Sequence, residues 1–490
     1  MAQFEIKDGV AIIPDGTTEI RYDAFKGCTS LESIIIPDSV TEIGRWAFDG
    51  CTSLKSITIP ESVTKIGWMA FKGCTSLEKV IIPESVTEIG EGAFERCASL
   101  ESVTIPNSVT KIEVSTFEGC TSLESIVLPK VRKIERYAFD GCTSLKSISI
   151  PNSVTNIRDS AFNRCTSLES IVVADGNPVY DSREGCNAII KTMTNTLIQG
   201  VKTTVIPESV TEIGSYAFYG CTSLENITIP ESVTEIGHSA FGGCTSLKSI
   251  IIPNSVTEIE YDAFSGCTSL KSITIPESVT EIGHSAFGGC TSLKNVTIPE
   301  SVKKLDENAF SGCTSLESFT IPEGVKEIRR HAFSNYTSLE SITIPNSVTK
   351  IGKWAFSGCT SLKSIIIPDS VTLIECEAFE GCTSLESITI PESVTEIGES
   401  VFRDCTSLES VVIPKGVKKI EEYAFAGCTS LTTLTLPIGV NKIEERVFDK
   451  CSALAAINVP AGKADYYKKR LPEELHDKIV ELAPEKKTKK

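Results

Sequence analysis

Cysteine and histidine are the residue types in this chain with the clearest capacity for chemistry. Nineteen cysteines and four histidines could supply disulfides, metal ligands, nucleophilic thiolates or general bases. Seventeen of the cysteines stand three residues after a phenylalanine, as Cys28 follows Phe25, and only Cys186 and Cys376 stand elsewhere. A residue that recurs at one fixed phase is expected in a buried ladder, where cysteine serves as a small apolar side chain. We therefore expect reduced, buried thiols, which fit a reducing compartment.

The remaining polar residues form no recognisable catalytic or metal-binding motif. The sequence has no CxxC pair, and His238 and His284 occupy the same phase two repeats apart. Stacking would separate these two side chains by roughly 10 Å, too far to share a metal ion. No phosphate-binding GxxxxGK[ST] loop is present either. We predict that the chain is not an enzyme and that it has no catalytic residue, no cofactor and no metal site.

Phenylalanine sets the period of the chain. It recurs mostly in steps of 23 residues, with one step of 22 and one longer gap, at Phe25, Phe48, Phe71, Phe94, Phe117, Phe139, Phe162, Phe218, Phe241, Phe264, Phe287, Phe310, Phe333, Phe356, Phe379, Phe402, Phe425 and Phe448. A fixed period of roughly 20 to 30 residues indicates a solenoid, in which each repeat buries its apolar face against its neighbours.

The repeat from Cys51 to Phe71 illustrates the elements that this period implies. Residues 56–59 alternate between polar and apolar side chains, as a strand with one buried face does, and Pro60 ends that strand. Residues 61–67 follow as a second short extended segment. Stacked repeats would therefore form two parallel sheets over one continuous core. The predicted core layer consists of Leu54, Ile57, Ile59, Val63, Ile66, Ala70, Phe71 and Cys74.

The repeated pattern LxxLxIPxSVTxIGxxAFxxCTS resembles the leucine-rich repeat of the bacterial surface antigen BspA type, also called the Treponema type, over roughly residues 5–460. The resemblance implies a β-rich leucine-rich-repeat solenoid, a right-handed curved superhelix with parallel sheets. It also implies protein binding and adhesion, because members of this family are commonly surface or secreted proteins of bacteria, gut Bacteroidetes among them, and of some parasitic protists.

Interruptions of the period divide the chain into segments. We predict an N-terminal cap over 1–20, seven repeats over 21–172, an insert with a β-hairpin over 173–203, eleven repeats over 204–460, a short helical C-terminal cap over 461–485 and a disordered basic tail over 486–490. The insert is either a recognition element or a lateral excursion that the solenoid tolerates.

Composition and the two ends bear on partner and location. A net charge of −17 argues against nucleic acid as a partner, because phosphate binding needs clustered Lys and Arg. No apolar run reaches the roughly 18 residues that a bilayer span requires. The N-terminus does not resemble a signal peptide, so the sequence as written predicts a cytoplasmic protein. If a leader has been removed, a surface or secreted protein is the alternative. We also expect a monomer or a weak dimer.

Three rows of outward residues are candidates for binding a partner. One follows the first strand of each repeat and includes Ile35, Thr58, Ile81 and Thr104, although β-propensity alone would select the same residue types. A second follows each ladder leucine with Glu or Lys, as in Glu32 and Lys55, and is expected to serve solubility and cross-turn pairing. The third lies just before the repeat phenylalanine and is rich in aromatic side chains, which are favoured at interfaces. It includes Trp46, Trp68, Met69, Tyr137, Tyr216, Tyr261, Trp354 and Tyr423.

These features predict a non-enzymatic repeat scaffold that binds a protein. The alternative is a cell-surface or secreted adhesin for host or neighbouring-cell proteins. A polysaccharide-binding repeat domain is a third possibility, which would need aromatic side chains lining a groove.

Overall fold

The computed structural model describes residues 4–306 and 308–483. The chain divides into two compact units, Met1–Val256 and Thr257–Lys490. The strands of both units are short and mostly pair in parallel, and each repeat contributes two of them, one on each side of a shared core. The predicted β-rich leucine-rich-repeat solenoid is therefore confirmed. The predicted tail at 486–490 lies outside the described residues.

The first strand of each repeat spans three or four residues and ends just before a proline in most repeats. In the first unit these strands are Val10–Ile12, Ser33–Ile35, Ser56–Thr58, Lys79–Ile81, Ser102–Thr104, Ser125–Val127, Ser147–Ile150, Ser170–Val173, Asn226–Thr228 and Ser249–Ile251. In the second unit they are Ser272–Thr274, Asn295–Thr297, Ser318–Thr320, Ser341–Thr343, Ser364–Ile366, Ser387–Thr389, Ser410–Val412, Thr433–Thr435 and Ala456–Val459. Equivalent residues pair, as Ile57 does with Val80.

The second strand of each repeat spans two residues. In the first unit these strands are Glu19–Ile20, Glu42–Ile43, Lys65–Ile66, Glu88–Ile89, Lys111–Ile112, Lys133–Ile134, Asn156–Ile157, Glu212–Ile213 and Glu235–Ile236. In the second unit they are Glu258–Ile259, Glu281–Ile282, Lys304–Leu305, Glu327–Ile328, Lys350–Ile351, Leu373–Ile374, Glu396–Ile397, Lys419–Ile420 and Lys442–Ile443. Ile66 pairs with Ile89, which confirms the second predicted sheet.

The core consists of stacked copies of one layer. All eight residues predicted for the layer of one repeat are buried, from Leu54 to Cys74. The phenylalanine rings stack face to face with their centroids 5.1 to 5.7 Å apart from Phe25 to Phe162. In the second unit Phe319 stands where most repeats have Ile or Val, and its ring makes edge contacts with Phe310 and Phe333. The ladder that the sequence period predicts is therefore the interior of the fold.

The turn between the second strand and the phenylalanine has an unusual backbone. The residue two positions before the phenylalanine adopts a positive φ in repeat after repeat, for example 58° at Trp46 and 57° at Trp354. Left-handed conformations cost a non-glycine residue of the order of 1 kcal/mol, so stacking of the turns must hold it in place. This position varies in sequence, and its side chains range from exposed, as at Tyr137, to buried, as at Ser239.

The insert adds three strands to the second sheet at its edge strand Glu212–Ile213. Tyr180–Asp181, Ile189–Lys191 and Thr196–Gln199 pair antiparallel in that order, and the last strand joins Glu212–Ile213 in parallel. A one-turn 3-10 helix, Arg183–Gly185, lies between the first two.

Side chains of the insert also cap the strand Ser170–Val173. Its backbone N–H groups at Ile171 and Val173 donate to Asn187 Oδ1 (2.6 Å) and Ser182 Oγ (3.0 Å). The insert therefore protects a strand edge that the interrupted repeat would leave open.

The two ends are closed differently. At the N-terminus Ile6–Lys7 pairs antiparallel with Val10–Ile12, and Phe4 stacks on Phe25 at 5.6 Å. At the C-terminus the only α-helix of the described ranges is Ala464–Lys468, which buries Tyr467.

The C-terminal cap is helical only in part, and the predicted helix does not extend over its last residues. Glu473–Lys478 forms a 3-10 helix, and Ile479–Glu481 forms a strand that pairs with Ala456–Val459. The spacing of Leu475, Ile479 and Leu482 suits a helix, but the last strand of the sheet offers unpaired backbone groups, and β-branched residues satisfy them as a strand.

Candidate functional site

The cysteine ladder is a structural device. Most ladder thiols donate to the carbonyl oxygen of the phenylalanine one turn earlier, as Cys51 Sγ does to Phe25 O (3.0 Å) and Cys120 Sγ to Phe94 O (3.1 Å). Burial raises the pKa of Cys120 to about 12, so the nucleophilic thiolate is scarce at neutral pH. All nineteen cysteines are free thiols.

Tyr336 replaces cysteine in one repeat and keeps the same hydrogen bond. Its side chain is buried, and its hydroxyl donates to Phe310 O, the carbonyl that a cysteine at this position would contact. The position therefore requires a donor to the preceding turn and tolerates a change in volume. Within the described ranges no group of three or more His, Cys, Asp or Glu side chains is placed to hold a metal ion.

The outward row of the first strands is exposed, as the alternation predicts. Exposed fractions are 57% for Ile35 and 58% for Ile81, and Thr58 and Thr104 are also exposed. We call this row the strand face. Beside the insert it borders an open groove of about 550 Å³, lined by Val205, Ile206, Asn226, Ile227, Thr228 and Ile251 among others.

The Glu and Lys row that follows each ladder leucine forms ion pairs between adjacent turns. Lys55 Nζ lies 3.6 Å from Glu32, and Lys248 Nζ lies 2.7 Å from Glu225. These pairs are more than half exposed, so each contributes little to the stability of the fold. They agree with the predicted role in cross-turn pairing, although Glu outnumbers Lys along the row and leaves it with a net negative charge.

The aromatic row is divided between two positions of the turn. Trp46, Met69, Tyr137, Tyr216, Trp354 and Tyr423 stand two residues before the phenylalanine, whereas Trp68 and Tyr261 stand three residues before it. Tyr137 and Tyr261 are exposed. The other members are half-buried, since each packs on the turn of a neighbouring repeat.

The structure brings Trp46, Trp68 and Met69 together. The ring centroids of Trp46 and Trp68 lie 5.3 Å apart, Tyr22 lies 5.3 Å on the other side of Trp46, and Trp46 Nε1 donates to Met69 Sδ (3.2 Å). Arg45 Cζ lies 3.9 Å from the centroid of Trp46 and 3.7 Å from that of Trp68. We call Tyr22, Lys26, Arg45, Trp46, Trp68 and Met69 the first tryptophan cluster.

Trp354 stands in a similar cluster in the second unit. His331 stacks on its ring at 4.7 Å, and Arg330 Cζ and Lys353 Nζ lie 4.6 and 4.1 Å from its centroid. Partial desolvation and the charges of Arg330 and Lys353 lower the pKa of His331, which favours the neutral ring in this stack. We call Arg330, His331, Lys353 and Trp354 the second tryptophan cluster.

The remaining aromatic candidates do not join these clusters. Tyr216 makes edge contacts with Tyr219 and His238 at 5.7 and 5.1 Å, and the hydroxyl of Tyr423 accepts a hydrogen bond from Arg446. Arg45, Arg330, Lys353 and His331 were not among the residues predicted from the sequence to bind a partner. They stand in the same variable segment as the tryptophans, and that position could have identified them.

Fold and repeat together define a leucine-rich-repeat solenoid. The family model for the BspA type leucine rich repeat region matches residues 10–124, 112–183, 194–317, 234–363 and 355–469. The chain therefore belongs to the BspA type leucine-rich repeat family, a family of non-enzymatic repeat proteins, which confirms the resemblance seen in the sequence.

Several solved structures are similar to the chain. A leucine-rich cell surface protein from Faecalibacterium prausnitzii is 27% identical, covering 95% of this chain and 90% of its own, with a TM-score of 0.36. A leucine-rich repeat protein from Bacteroides ovatus is 26% identical, covering 97% and 94%, with a TM-score of 0.41. A leucine-rich repeat protein from Treponema pallidum is 35% identical over 37% of this chain and 86% of its own, with a TM-score of 0.32. No curated protein matches the chain.

Proposed function

We propose that this protein is a non-enzymatic scaffold that binds a protein partner through the variable turns of its repeats. The observation behind the proposal is that all three tryptophans stand beside cations on varied turns, two in the first cluster and one in the second, although the interior of the repeat hardly changes. Aromatic and arginine side chains dominate binding energy at protein interfaces, particularly where they are packed and partly desolvated. Trp46, Trp68 and Trp354 meet that description, and Met69 completes the first cluster.

The experiment compares two surfaces of the full-length chain. Wild-type protein, a Trp46→Ala/Trp68→Ala variant and an Ile35→Ser/Ile81→Ser variant of the strand face are used as baits in native lysate. The recovered partner is then purified and titrated against each variant. We expect the tryptophan variant to bind at least about tenfold more weakly, and the strand-face variant to bind as wild type does. Equal binding by all three would contradict the proposal.

The strand face supports a second candidate, an adhesin for proteins outside the cell. Ile251 and Ile366 are 78% and 81% exposed, and apolar side chains on an open sheet suit contact with another protein. Recovery of the protein at the cell surface after fractionation would favour this role, and recovery in the cytosol would favour the intracellular scaffold that the sequence predicts. The described helices include none long and apolar enough to cross a bilayer.

A glycan array tests the third possibility, a polysaccharide ligand. Glycan binding that is lost in the Trp46→Ala/Trp68→Ala variant would favour a polysaccharide over a protein partner. We propose further that the chain acts as a monomer or weak dimer, which sedimentation over a range of concentrations tests.

A further inference from the structure

Arginine occupies the same position of the turn in three repeats. Arg45, Arg136 and Arg330 each stand three residues before the repeat phenylalanine, and all three are exposed. Arg136 Nη2 lies 3.9 Å from Asp159 of the next turn. Within residues 4–306 and 308–483, neither Arg45 nor Arg330 has a carboxylate in ion-pair distance. Equivalent arginines therefore differ in whether their charge is compensated.

The two uncompensated arginines are the ones that lie on tryptophan. Arg45 lies against both indole rings of the first cluster, and Arg330 lies against Trp354 of the second. Contact with an aromatic ring orients a guanidinium. The ring face, however, offers the guanidinium N–H groups no oxygen or nitrogen acceptor. Hydrogen-bond donors remain for a ligand, because the five N–H groups of a guanidinium lie in its plane and match the two oxygens of a carboxylate.

Neighbouring residues complete each cluster. Lys26 and Lys353 also lie over a tryptophan ring, but both are ion-paired, with Asp49 at 3.2 Å and Glu377 at 3.1 Å. Arg45 and Arg330 are thus the cations of their clusters that remain available to an added anion. Trp68 adds a buried indole N–H that has no acceptor in the described part of the chain. Such a donor is costly to leave unpaired, so a ligand oxygen that reached it would gain binding energy.

The overall charge limits the kind of anion. A protein with a net charge of −17 repels a long polyanion such as nucleic acid, whereas a carboxylate carried by a mostly neutral segment meets little repulsion. Aromatic rings around the guanidinium would pack against the apolar parts of such a segment.

We infer that the two tryptophan clusters are carboxylate-binding sites, in which Arg45 and Arg330 hold Asp or Glu side chains of an exposed segment of the partner. This inference rests on the proposed function, since it names the chemistry by which the protein partner is recognised at the same turns.

The test uses the intrinsic fluorescence of the full-length chain, because all three tryptophans belong to the two clusters. A blocked peptide with one glutamate among alanine and glycine residues is titrated into wild-type protein, and the same peptide with glutamine in place of the glutamate is the uncharged control. We expect saturable quenching by the glutamate peptide alone. An Arg45→Gln/Arg330→Gln variant should bind about tenfold more weakly, the effect of a lost charged hydrogen bond.

Three further measurements distinguish carboxylate binding by Arg45 and Arg330 from a general effect of charge or a loss of fold. Arg136→Gln is the matched control, because it removes the compensated arginine of the same turn position, and it should leave binding unchanged. Arg45→Lys/Arg330→Lys should restore only part of the affinity, since an ammonium cannot bind a carboxylate in the forked geometry. Circular dichroism of each variant confirms that it is folded.

Four results would overturn the inference: no binding of the glutamate peptide by wild type, equal binding of the glutamine peptide, wild-type affinity in Arg45→Gln/Arg330→Gln, or preferential binding of an oligothymidylate. The proposed function and this inference can be distinguished by experiment. If the partner is captured through Trp46 and Trp68 but its affinity does not change in the double arginine variant, the scaffold role stands and carboxylate recognition does not.

Discussion

The interior and the variable turn of each repeat follow opposite rules. The interior repeats one set of side chains, so that phenylalanine stacks on phenylalanine and most ladder thiols donate to the preceding turn. The turn two and three residues before the phenylalanine holds Trp, Tyr, His, Arg, Glu or Ser in a backbone conformation that hardly changes. The interior therefore fixes the geometry at which the turns are spaced, and the turns are free to carry recognition. Four predictions test this division, beginning with the largest expected effect.

Alkaline pH should unfold the interior. Burial raises the pKa of Cys51 and of Cys120 to about 12 from an ordinary value of 9.0, and raises that of Cys97 and Cys142 as well. The unfolded chain ionises first, so stability is complete below about pH 9 and falls progressively as the pH rises towards the folded-state values. Circular dichroism between pH 7 and 12 should show loss of the β signal within that window, together with a burst of thiol alkylation. Retention of fold at pH 12 would contradict buried, protonated thiols.

Phe94→Ala should be the most damaging single substitution in the interior. The ring stacks on Phe71 at 5.3 Å and on Phe117 at 5.6 Å, and it is fully buried. Its removal should cost about 3–5 kcal/mol, through lost burial and the cavity that remains. Chemical denaturation followed by far-ultraviolet circular dichroism measures the effect. A shift no larger than that of Trp46→Ala would erase the distinction between interior and turn.

Tyr336→Phe isolates the hydrogen bond that replaces the thiol ladder in one repeat. The substitution keeps the ring but removes one of the two donors to Phe310 O, which keeps the backbone N–H of Cys313 (3.1 Å), so it should cost about 1 kcal/mol, the net worth of one hydrogen bond. Tyr261→Phe, on an exposed ring, is the matched control and should leave the denaturation midpoint unchanged. Equal midpoints for both variants would show that the donor to the preceding turn is dispensable.

Trp46→Ala/Trp68→Ala should have a small effect on stability beside that of Phe94→Ala and a large one on binding. The rings are half-buried and lie against Arg45, so their loss should lower the free energy of unfolding by only about 1–2 kcal/mol. The denaturation midpoint and the affinity for the recovered partner are measured on the same preparation. A loss comparable with that of Phe94→Ala would mean that the tryptophans belong to the interior.

The sequence was sufficient for the parts of the fold that a period determines. Alternation around Ile57 and the fixed phase of Phe71 and Cys74 predicted both sheets and the core layer, because each repeat has the same neighbours. The strand Ile479–Glu481 could not be predicted, since it occurs once and depends on an open sheet edge.

The candidate site was predictable only in part. The sequence identified the tryptophans, because they are rare and fall on one turn. It did not show that Trp46 and Trp68 share Arg45, since ring and guanidinium orientations depend on side-chain packing between turns. Nor did it show that Arg136 is compensated by Asp159 whereas Arg45 lacks such a partner among the described residues.

Hydroxyl-radical footprinting of the purified complex tests the division between interior and turn most directly. Side-chain oxidation is compared with and without the recovered partner at the three tryptophans and at Ile35, Ile81, Ile251 and Ile366 on the strand face. We predict that the partner protects Trp46, Trp68 or Trp354 and leaves the strand face as reactive as in the free protein. Protection confined to the strand face would contradict the account, because recognition would then lie on the sheet.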